Sequence, residues 1–141
     1  MHALIIEDEY MIAAVIEFVL RECGFTSFDI AASCEAAIEA AKKRRPDLIT
    51  ADMSLDSGTG MEAVDVISPQ ESIPVIFITG SAAQIRDRIS RHAVLNKPFS
   101  EQTLTYAVVA SLAASKAPGA GLVDEARDDV AIGPADLHLR A

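Results

Sequence analysis

The sequence predicts an α/β fold in which a five-stranded, doubly wound parallel sheet carries helices on both faces. Short apolar runs alternate with amphipathic segments along most of the chain. The 141 residues suit one domain with a full core, and half of them are hydrophobic while only 5% are aromatic. Because alternating helices cover both faces of a parallel sheet, and right-handed crossovers leave few topologies, we expect this sheet to enclose an aliphatic core.

Five apolar runs are predicted as strands. They are Ala3–Ile6, Ser27–Ala31, Asp47–Ala51, Val75–Thr79 and Ala93–Asn96. Between the first two strands, apolar residues with helical spacing predict a helix that stops at Gly24. A second helix opens at Ser33 and ends in the basic run "KKRR", which suits a helix C-terminus, before Pro46 stops it.

Three further helices are predicted after the third strand. One follows Gly60 and ends by Pro69. The next opens at Ser81 with the capping-box pattern "SAAQ". The last opens at Ser100 and buries its apolar face. The residues expected on that face are Leu104, Val108 and Leu112.

The composition changes after Ser115. The stretch "KAPGAGL" has the proline and glycine of a linker, and little periodicity follows it. We therefore expect one folded domain over residues 1–115 and a flexible tail over residues 116–141, with a short helical turn near residues 124–131.

Charge and composition exclude several classes of protein. With 12 basic and 21 acidic residues the net charge is −9, which argues against binding to nucleic acid or to an anionic membrane. No apolar run is long enough to span a bilayer, and the N-terminus lacks a signal-peptide pattern. Cys23 and Cys34 form no CxxC pair and are expected to be buried, reduced thiols. We expect a cytoplasmic protein.

Carboxylates follow two of the predicted strands. Glu7 and Asp8 end the first strand and Asp52 ends the third. If these strands are neighbours, the three carboxylates converge at the carboxyl edge of the sheet, where open α/β sheets bind ligands. Asp8 or Glu9 alone is explained by capping of the next helix, but capping does not explain Asp52, an acid at the end of a second strand at the same edge. Several carboxylates in one pocket stay ionised cheaply only with a cation, and hard oxygen ligands suit Mg²⁺.

Two further strand ends carry polar groups. Thr79 ends the fourth strand and Lys97 follows the fifth, before Pro98. A carboxylate nucleophile, a metal ion, a lysine and a hydroxyl together predict a phosphoryl-transfer site. The first loop lacks a glycine-rich phosphate cradle, which argues against a nucleotide or flavin mononucleotide site.

The set of strand-end residues resembles the receiver domain of bacterial two-component response regulators. The resemblance covers about residues 1–115 and lies in residues that occur in this order: Glu7, Asp8, Asp52, Thr79, Lys97 and Pro98. It implies a flavodoxin-like fold with strand order 2-1-3-4-5 and five helices.

The resemblance also implies a role for each residue. Asp52 accepts a phosphoryl group from a histidine kinase. Asp8 binds Mg²⁺ directly, Glu7 binds it mostly through water, and the backbone carbonyl of Ser54 completes the protein ligands beside Asp52. Thr79 follows the phosphoryl group and Lys97 pairs with it, and the bond from Lys97 to the following proline is cis.

The sequence departs from the usual receiver pattern at two positions. Asp56 stands where a proline is common, and Val94 replaces the aromatic residue of the fifth strand that usually couples to the threonine. "PVIFITG" resembles the PFxFATG motif of an alphaproteobacterial subgroup that lacks this aromatic, although Ile78 replaces its alanine. Members of that subgroup often serve general stress signalling with kinases of the HWE type.

We therefore expect a single-domain response regulator that catalyses only its own phosphoryl transfer and dephosphorylation. Its partners are expected to be a histidine kinase or phosphotransfer protein and a downstream protein, with no nucleic acid and no membrane, and the protein is expected to be a monomer. A basic face with Arg86, Arg88, Arg91 and His92 is the predicted output surface.

Three alternatives remain open at this point. One is a pseudo-receiver that docks without phosphate, and another is a phosphate sink in a phosphorelay. The third is a phosphotransferase of flavodoxin-like or haloacid-dehalogenase-like type. The haloacid-dehalogenase motif DxDx(T/V) has a different spacing of acids from "DMSLD".

Overall fold

The computed structural model describes residues 1–55, 58–70, 72–80 and 92–116. Its five strands form one sheet in the order β2-β1-β3-β4-β5, and each neighbouring pair is parallel. The strands are β1 (His2–Ile6), β2 (Ser27–Ala31), β3 (Leu48–Asp52), β4 (Val75–Thr79) and β5 (Ala93–Asn96). The predicted fold class and strand order are confirmed.

Four helices lie in the described residues. They are α1 (Tyr10–Glu22), α2 (Cys34–Lys43), α3 (Gly60–Ile67) and α4 (Glu101–Lys116). They correspond to the first, second, third and fifth predicted helices. The predicted helix that opens at Ser81 lies outside the described residues, as do the arginines of the predicted output surface.

The third strand is shifted by one residue from its predicted position. It begins at Leu48 because the carboxylate of Asp47 accepts the His2 N–H at 2.7 Å, in place of a strand carbonyl. It continues through Asp52, which pairs with Ile78 of β4. The shift matters because it makes Asp52 part of a regular strand and so fixes its backbone.

Side chains cap the helices that follow β3 and β5. Thr59 and Glu62 form a reciprocal capping box at the start of α3, which the sequence analysis did not identify. Ser100 Oγ accepts the N–H of Thr103 at 3.0 Å and so caps α4 where the sequence predicted its start. These caps fix where the loops from β3 and β5 enter their helices.

Alternate residues of the central strands bury two apolar faces. Ile5 and Ile76 face α1 and α4, whereas Leu4 and Ile49 face α2 and α3. The buried side chains are mostly Ile, Leu, Val and Ala, as the composition predicted. Because both faces are covered by helices, the buried carboxylates Glu7 and Asp52 are placed at the edge of the sheet where strands end.

The edge where the strands begin carries a polar network around His2. This side chain is 3% exposed. Its Nδ1 lies 2.8 Å from Ser27 Oγ and its Nε2 lies 3.0 Å from Asp29 Oδ2. The network joins the start of β1 to β2, and the strand-end residues lie at the opposite edge.

Several smaller predictions concern the chain ends and cysteines. Helix α4 extends through Lys116, one residue past the predicted domain boundary, and residues 117–141 lie outside the described residues. Cys23 and Cys34 are free but only half-buried, because they lie at the end of α1 and the start of α2. Over the described ranges no helix has the length and apolarity to cross a membrane.

Candidate functional site

The carboxyl ends of β1 and β3 bring three carboxylates together. Because β1 and β3 pair directly, Glu7 and Asp8 after one strand meet Asp52 at the end of the other. One oxygen from each side chain lies within 4.8 Å of the other two. The convergence that the sequence predicted is therefore present.

Asp52 is a buried acceptor of the site. The residue is 2% exposed and lies on the last position of β3. Its Oδ1 accepts the N–H of Ser54 at 3.0 Å, and its Oδ2 accepts a hydrogen bond from Lys97 Nζ at 3.1 Å. These two hydrogen bonds hold the carboxylate in one orientation at the carboxyl edge of the sheet.

Glu7 is buried beside Asp52 and is incompletely satisfied. Its N–H donates to the carbonyl of Ala31 at 2.9 Å, which extends the pairing of β1 with β2 by one residue. Its Oε2 accepts the N–H of Glu9 at 3.0 Å, whereas the buried Oε1 accepts no hydrogen bond from the described residues. Burial, together with the charge of Asp52, raises the pKa of Glu7 to about 7.

Lys97 reaches the carboxylates from the end of β5. Its N–H donates to the carbonyl of Thr79 at 2.8 Å, and its bond to Pro98 is cis, as the resemblance implied. Its Nζ lies 3.7 Å from Glu7 Oε1 and 4.0 Å from Glu9 Oε1. Burial alone lowers the pKa of Lys97, but the hydrogen bond to Asp52 and the surrounding carboxylates outweigh it and raise that pKa.

Thr79 completes the row of strand ends. It is buried at the last position of β4 and pairs in register with Asn96, the residue before Lys97. Its strand lies next to β3, with Asp52 opposite Ile78. Thr79 therefore lies one residue further toward the carboxyl ends of the strands than Asp52, at the same edge of the sheet.

The loop after Asp52 needs two glycines. Gly58 has φ of +82°, a left-handed conformation that favours glycine. Gly60 begins α3 so close to the backbone carbonyl of Asp52 that a Cβ would collide with it. Asp56, which stands where a proline is common in receiver domains, lies outside the described residues. From the sequence Gly60 was predicted only to precede the third helix, and its close approach to Asp52 was not predicted.

Glu9 is the residue of the site that sequence reasoning assigned differently. It occupies the N-cap position of α1, as its place in the sequence suggested, but its side chain makes no capping hydrogen bond. Instead its carboxylate approaches Lys97. Only the position of Lys97, far along the chain, could have revealed this.

The three carboxylates fit a small divalent cation. A buried oxygen that accepts no hydrogen bond, such as Glu7 Oε1, is unfavourable unless another group satisfies it. Carboxylate oxygens arranged around one point, with an open side for water, are the ligands that Mg²⁺ prefers. The donor set at Glu7, Asp8 and Asp52 therefore matches Mg²⁺ in charge and in chemistry.

The fold and this edge of the sheet agree with one protein family. The response regulator receiver domain family matches residues 3–109 of the chain. The chain belongs to this family. The acids after β1 and β3 are among the residues by which the sequence resembled this family, and the strand order is the one that the resemblance implied.

Individual relatives support the assignment of the receiver domain. This chain is 32% identical to the transcriptional regulatory protein YvrH of Bacillus subtilis, over 77% of this chain and 48% of that protein. It superimposes on the solution structure of the Erythrobacter litoralis PhyR response regulator REC domain with a TM-score of 0.75. That pair is 35% identical and covers 83% of this chain and 93% of the other.

A second solved structure is similar to the receiver domain over part of its own length. The receiver domain is similar to the anti-anti-sigma factor PhyR of Bartonella quintana, with 31% identity and a TM-score of 0.68 over 79% of this chain and 47% of the other. The chain spans about half the length of the curated relatives that it matches, with 48% and 53% of the first two.

Proposed function

We propose that this receiver domain accepts a phosphoryl group on Asp52 in an Mg²⁺-dependent reaction and signals through protein contacts that depend on phosphorylation. One observation carries the proposal: a buried carboxylate at the end of β3 faces an ammonium group and two further acids. Ion pairing alone needs only one acid beside Lys97. An additional pair of acids around Asp52 is explained by a cation that neutralises them.

The chemistry is a direct displacement at phosphorus. A carboxylate oxygen of Asp52 forms a bond to phosphorus, the bond from phosphorus to the donor histidine nitrogen breaks, and the imidazole leaves with the electron pair. Asp52 is held for this attack by the N–H of Ser54 and by Lys97. When bound, Mg²⁺ supplies neutralisation of the phosphoryl oxygens.

The remaining residues have supporting roles in this proposal. Glu7 and Asp8 hold the ion together with Asp52, and the backbone carbonyl of Ser54 is the fourth protein ligand. The ammonium group of Lys97 pairs with Asp52 before phosphorylation and with a phosphoryl oxygen after it. Thr79 donates a hydrogen bond to another phosphoryl oxygen and so links β4 to the modified state.

Partners follow from the receiver chemistry and from the PhyR relatives. We propose that the donor is a histidine kinase, of the HWE type, or a phosphotransfer protein, and that the protein acts in the cytoplasm. Similarity to the PhyR stress response regulator supports a role in general stress signalling. We propose a downstream protein partner and no enzymatic activity beyond the transfer and hydrolysis of the phosphoryl group on Asp52.

The decisive test is phosphorylation of the purified chain with acetyl phosphate and Mg²⁺. Intact-mass measurement should show one added phosphoryl group on the wild type and none on Asp52→Asn. The matched control is Asp65→Asn, which changes an exposed aspartate of α3 and should behave as the wild type. A wild type that stays unmodified would favour a phosphate-independent docking module. Modification that survives Asp52→Asn but disappears in Asp56→Asn would move the acceptor to the loop.

A further inference from the structure

Glu9, the third acid after β1, has no role in the proposed phosphoryl transfer. It stands at the N-cap of α1, where an acidic side chain ordinarily accepts a hydrogen bond from the first turn. Its side chain makes no such bond, and its Oε1 lies 4.0 Å from Lys97 Nζ. The side chain is 65% exposed, whereas Glu7 and Asp52 are buried. Glu9 thus places a solvated negative charge at the mouth of the site.

We propose that Glu9 is an electrostatic gate that slows phosphorylation of Asp52 by small anionic phosphodonors and increases the attraction of the site for Mg²⁺. This proposal rests on the proposed function of Asp52. It makes Glu9 a residue that determines donor specificity, distinct from the buried carboxylates that hold the ion.

The size of the effect follows from the shared contact with Lys97. Its Nζ lies 4.0 Å from Glu9 Oε1, and a phosphoryl oxygen hydrogen-bonded to the same ammonium at about 3 Å therefore lies within roughly 7 Å of Glu9. In water, one unit of like charge at this distance changes a rate about threefold. In 1 M salt the Debye length is about 3 Å, and most of the effect disappears.

The effect of Glu9 on the rate of phosphorylation can be measured with two phosphodonors of different charge. Near neutral pH acetyl phosphate is a dianion, and phosphoramidate carries one net negative charge. In each reaction the Asp52 oxygen bonds to phosphorus while the bond to acetate oxygen or to nitrogen breaks, so that acetate or ammonia leaves. The chemistry at Asp52 is the same, and the donors differ in the repulsion that they meet at Glu9.

The experiment compares the full chain with three variants at saturating Mg²⁺. Glu9→Gln removes the charge with little change in shape, and Glu9→Asp keeps it. Glu22→Gln removes an exposed carboxylate from the other end of α1 and is the matched control. Initial rates are measured with both donors at low ionic strength and in 1 M salt. Mg²⁺ affinity is measured separately by titration, without any donor.

We expect Glu9→Gln to be about threefold faster with phosphoramidate and about ninefold faster with acetyl phosphate at low ionic strength. The rates of all proteins should converge in 1 M salt, and Glu9→Gln should bind Mg²⁺ more weakly. Glu9→Asp and Glu22→Gln should match the wild type.

Equal or slower phosphorylation of Glu9→Gln would overturn the gate while leaving Asp52 as the acceptor. A gain that persists in 1 M salt, or that also appears in Glu22→Gln, would overturn it as well. A wild type that acquires no phosphoryl group refutes the proposed function, and the gate with it.

Discussion

Lys97 and Asp52 are 45 residues apart in sequence, and their side chains form an ion pair with Nζ 3.1 Å from Oδ2. The pair joins the ends of β5 and β3, which are separated in the sheet by β4. Lys97 also approaches Glu7 and Glu9, so one ammonium group partly neutralises three carboxylates. The electrostatics of this site therefore depend on how strongly Lys97 interacts with each of these carboxylates.

Mg²⁺ should stabilise the protein in the absence of phosphate. Neutralising three carboxylates that lie within 4.8 Å of one another should raise the free energy of unfolding by about 1 kcal/mol or more when the ion is in excess. Thermal unfolding with and without Mg²⁺ measures the gain. Asp8→Asn should abolish it and Asp65→Asn should leave it intact. An undiminished Mg²⁺ response in Asp8→Asn would refute the assignment of Asp8 as a ligand.

Lys97→Ala should bind Mg²⁺ more tightly than the wild type. The ammonium and the metal ion compete for the same carboxylates, so removing the ammonium should lower the dissociation constant several-fold. The same variant should still accept a phosphoryl group but should show reduced phosphate-induced changes in its amide spectrum, because the charge that links β5 to that group is lost. Unaltered Mg²⁺ affinity together with wild-type spectral changes would show that Lys97 has neither role.

The metal-free protein should lose stability as the pH rises from about 4.5 to about 7. The folded state raises the pKa of Glu7 from 4.5 to about 7, so it binds the proton more tightly than the unfolded state does in this range. Stability is therefore greater where Glu7 is protonated, and it falls as the proton leaves. The loss is on the order of 1–3 kcal/mol.

Urea unfolding at several pH values, with and without Glu7→Gln, measures this dependence. The amide cannot ionise, so the variant should lack the fall in stability between these pH values. Its stability above pH 7 should equal or exceed that of the wild type in the absence of metal. A wild type whose stability rises steadily over the same range would contradict the raised pKa.

Thr50→Val should stabilise the protein by about 1 kcal/mol. Thr50 is fully buried in β3, and its hydroxyl has no hydrogen-bond partner in the part of the chain that the structure describes. Valine has nearly the same shape, suits a strand and removes the unsatisfied hydroxyl. Thr103→Val is the contrasting variant: its buried hydroxyl bonds to the backbone of Ser100, so that change should cost about 1 kcal/mol. Destabilisation by both variants would mean that the Thr50 hydroxyl has a partner.

Local sequence patterns predicted most of the fold. Apolar runs gave all five strands, and strand alternation with helices gave the parallel sheet, because these patterns reflect which side chains must be buried. The boundaries were less accurate where side chains replace backbone partners. Asp47 is the example: its carboxylate binds the His2 N–H and shifts the start of β3 by one residue.

The meeting of three acids was also predicted from the sequence, since carboxyl ends of parallel strands share one edge. Glu7, Asp8 and Asp52 were expected to meet, and they do. The role of the Glu9 side chain was not predicted, because its sequence position suits a helix cap equally well. The close approach of Gly60 to Asp52 was missed because it depends on where α3 packs against β3.

The sequence by itself determined the order of the elements, the aliphatic core and the residue types at each strand end, because burial and strand alternation are properties of neighbouring residues. Only the tertiary structure decided how the charges are shared. Burial of Glu7 raises its pKa to about 7, and Lys97 lies nearest to Asp52 but also within 4.0 Å of Glu9. These energies depend on distance and solvent access between strand ends that are far apart in the chain, and local sequence patterns contain neither quantity.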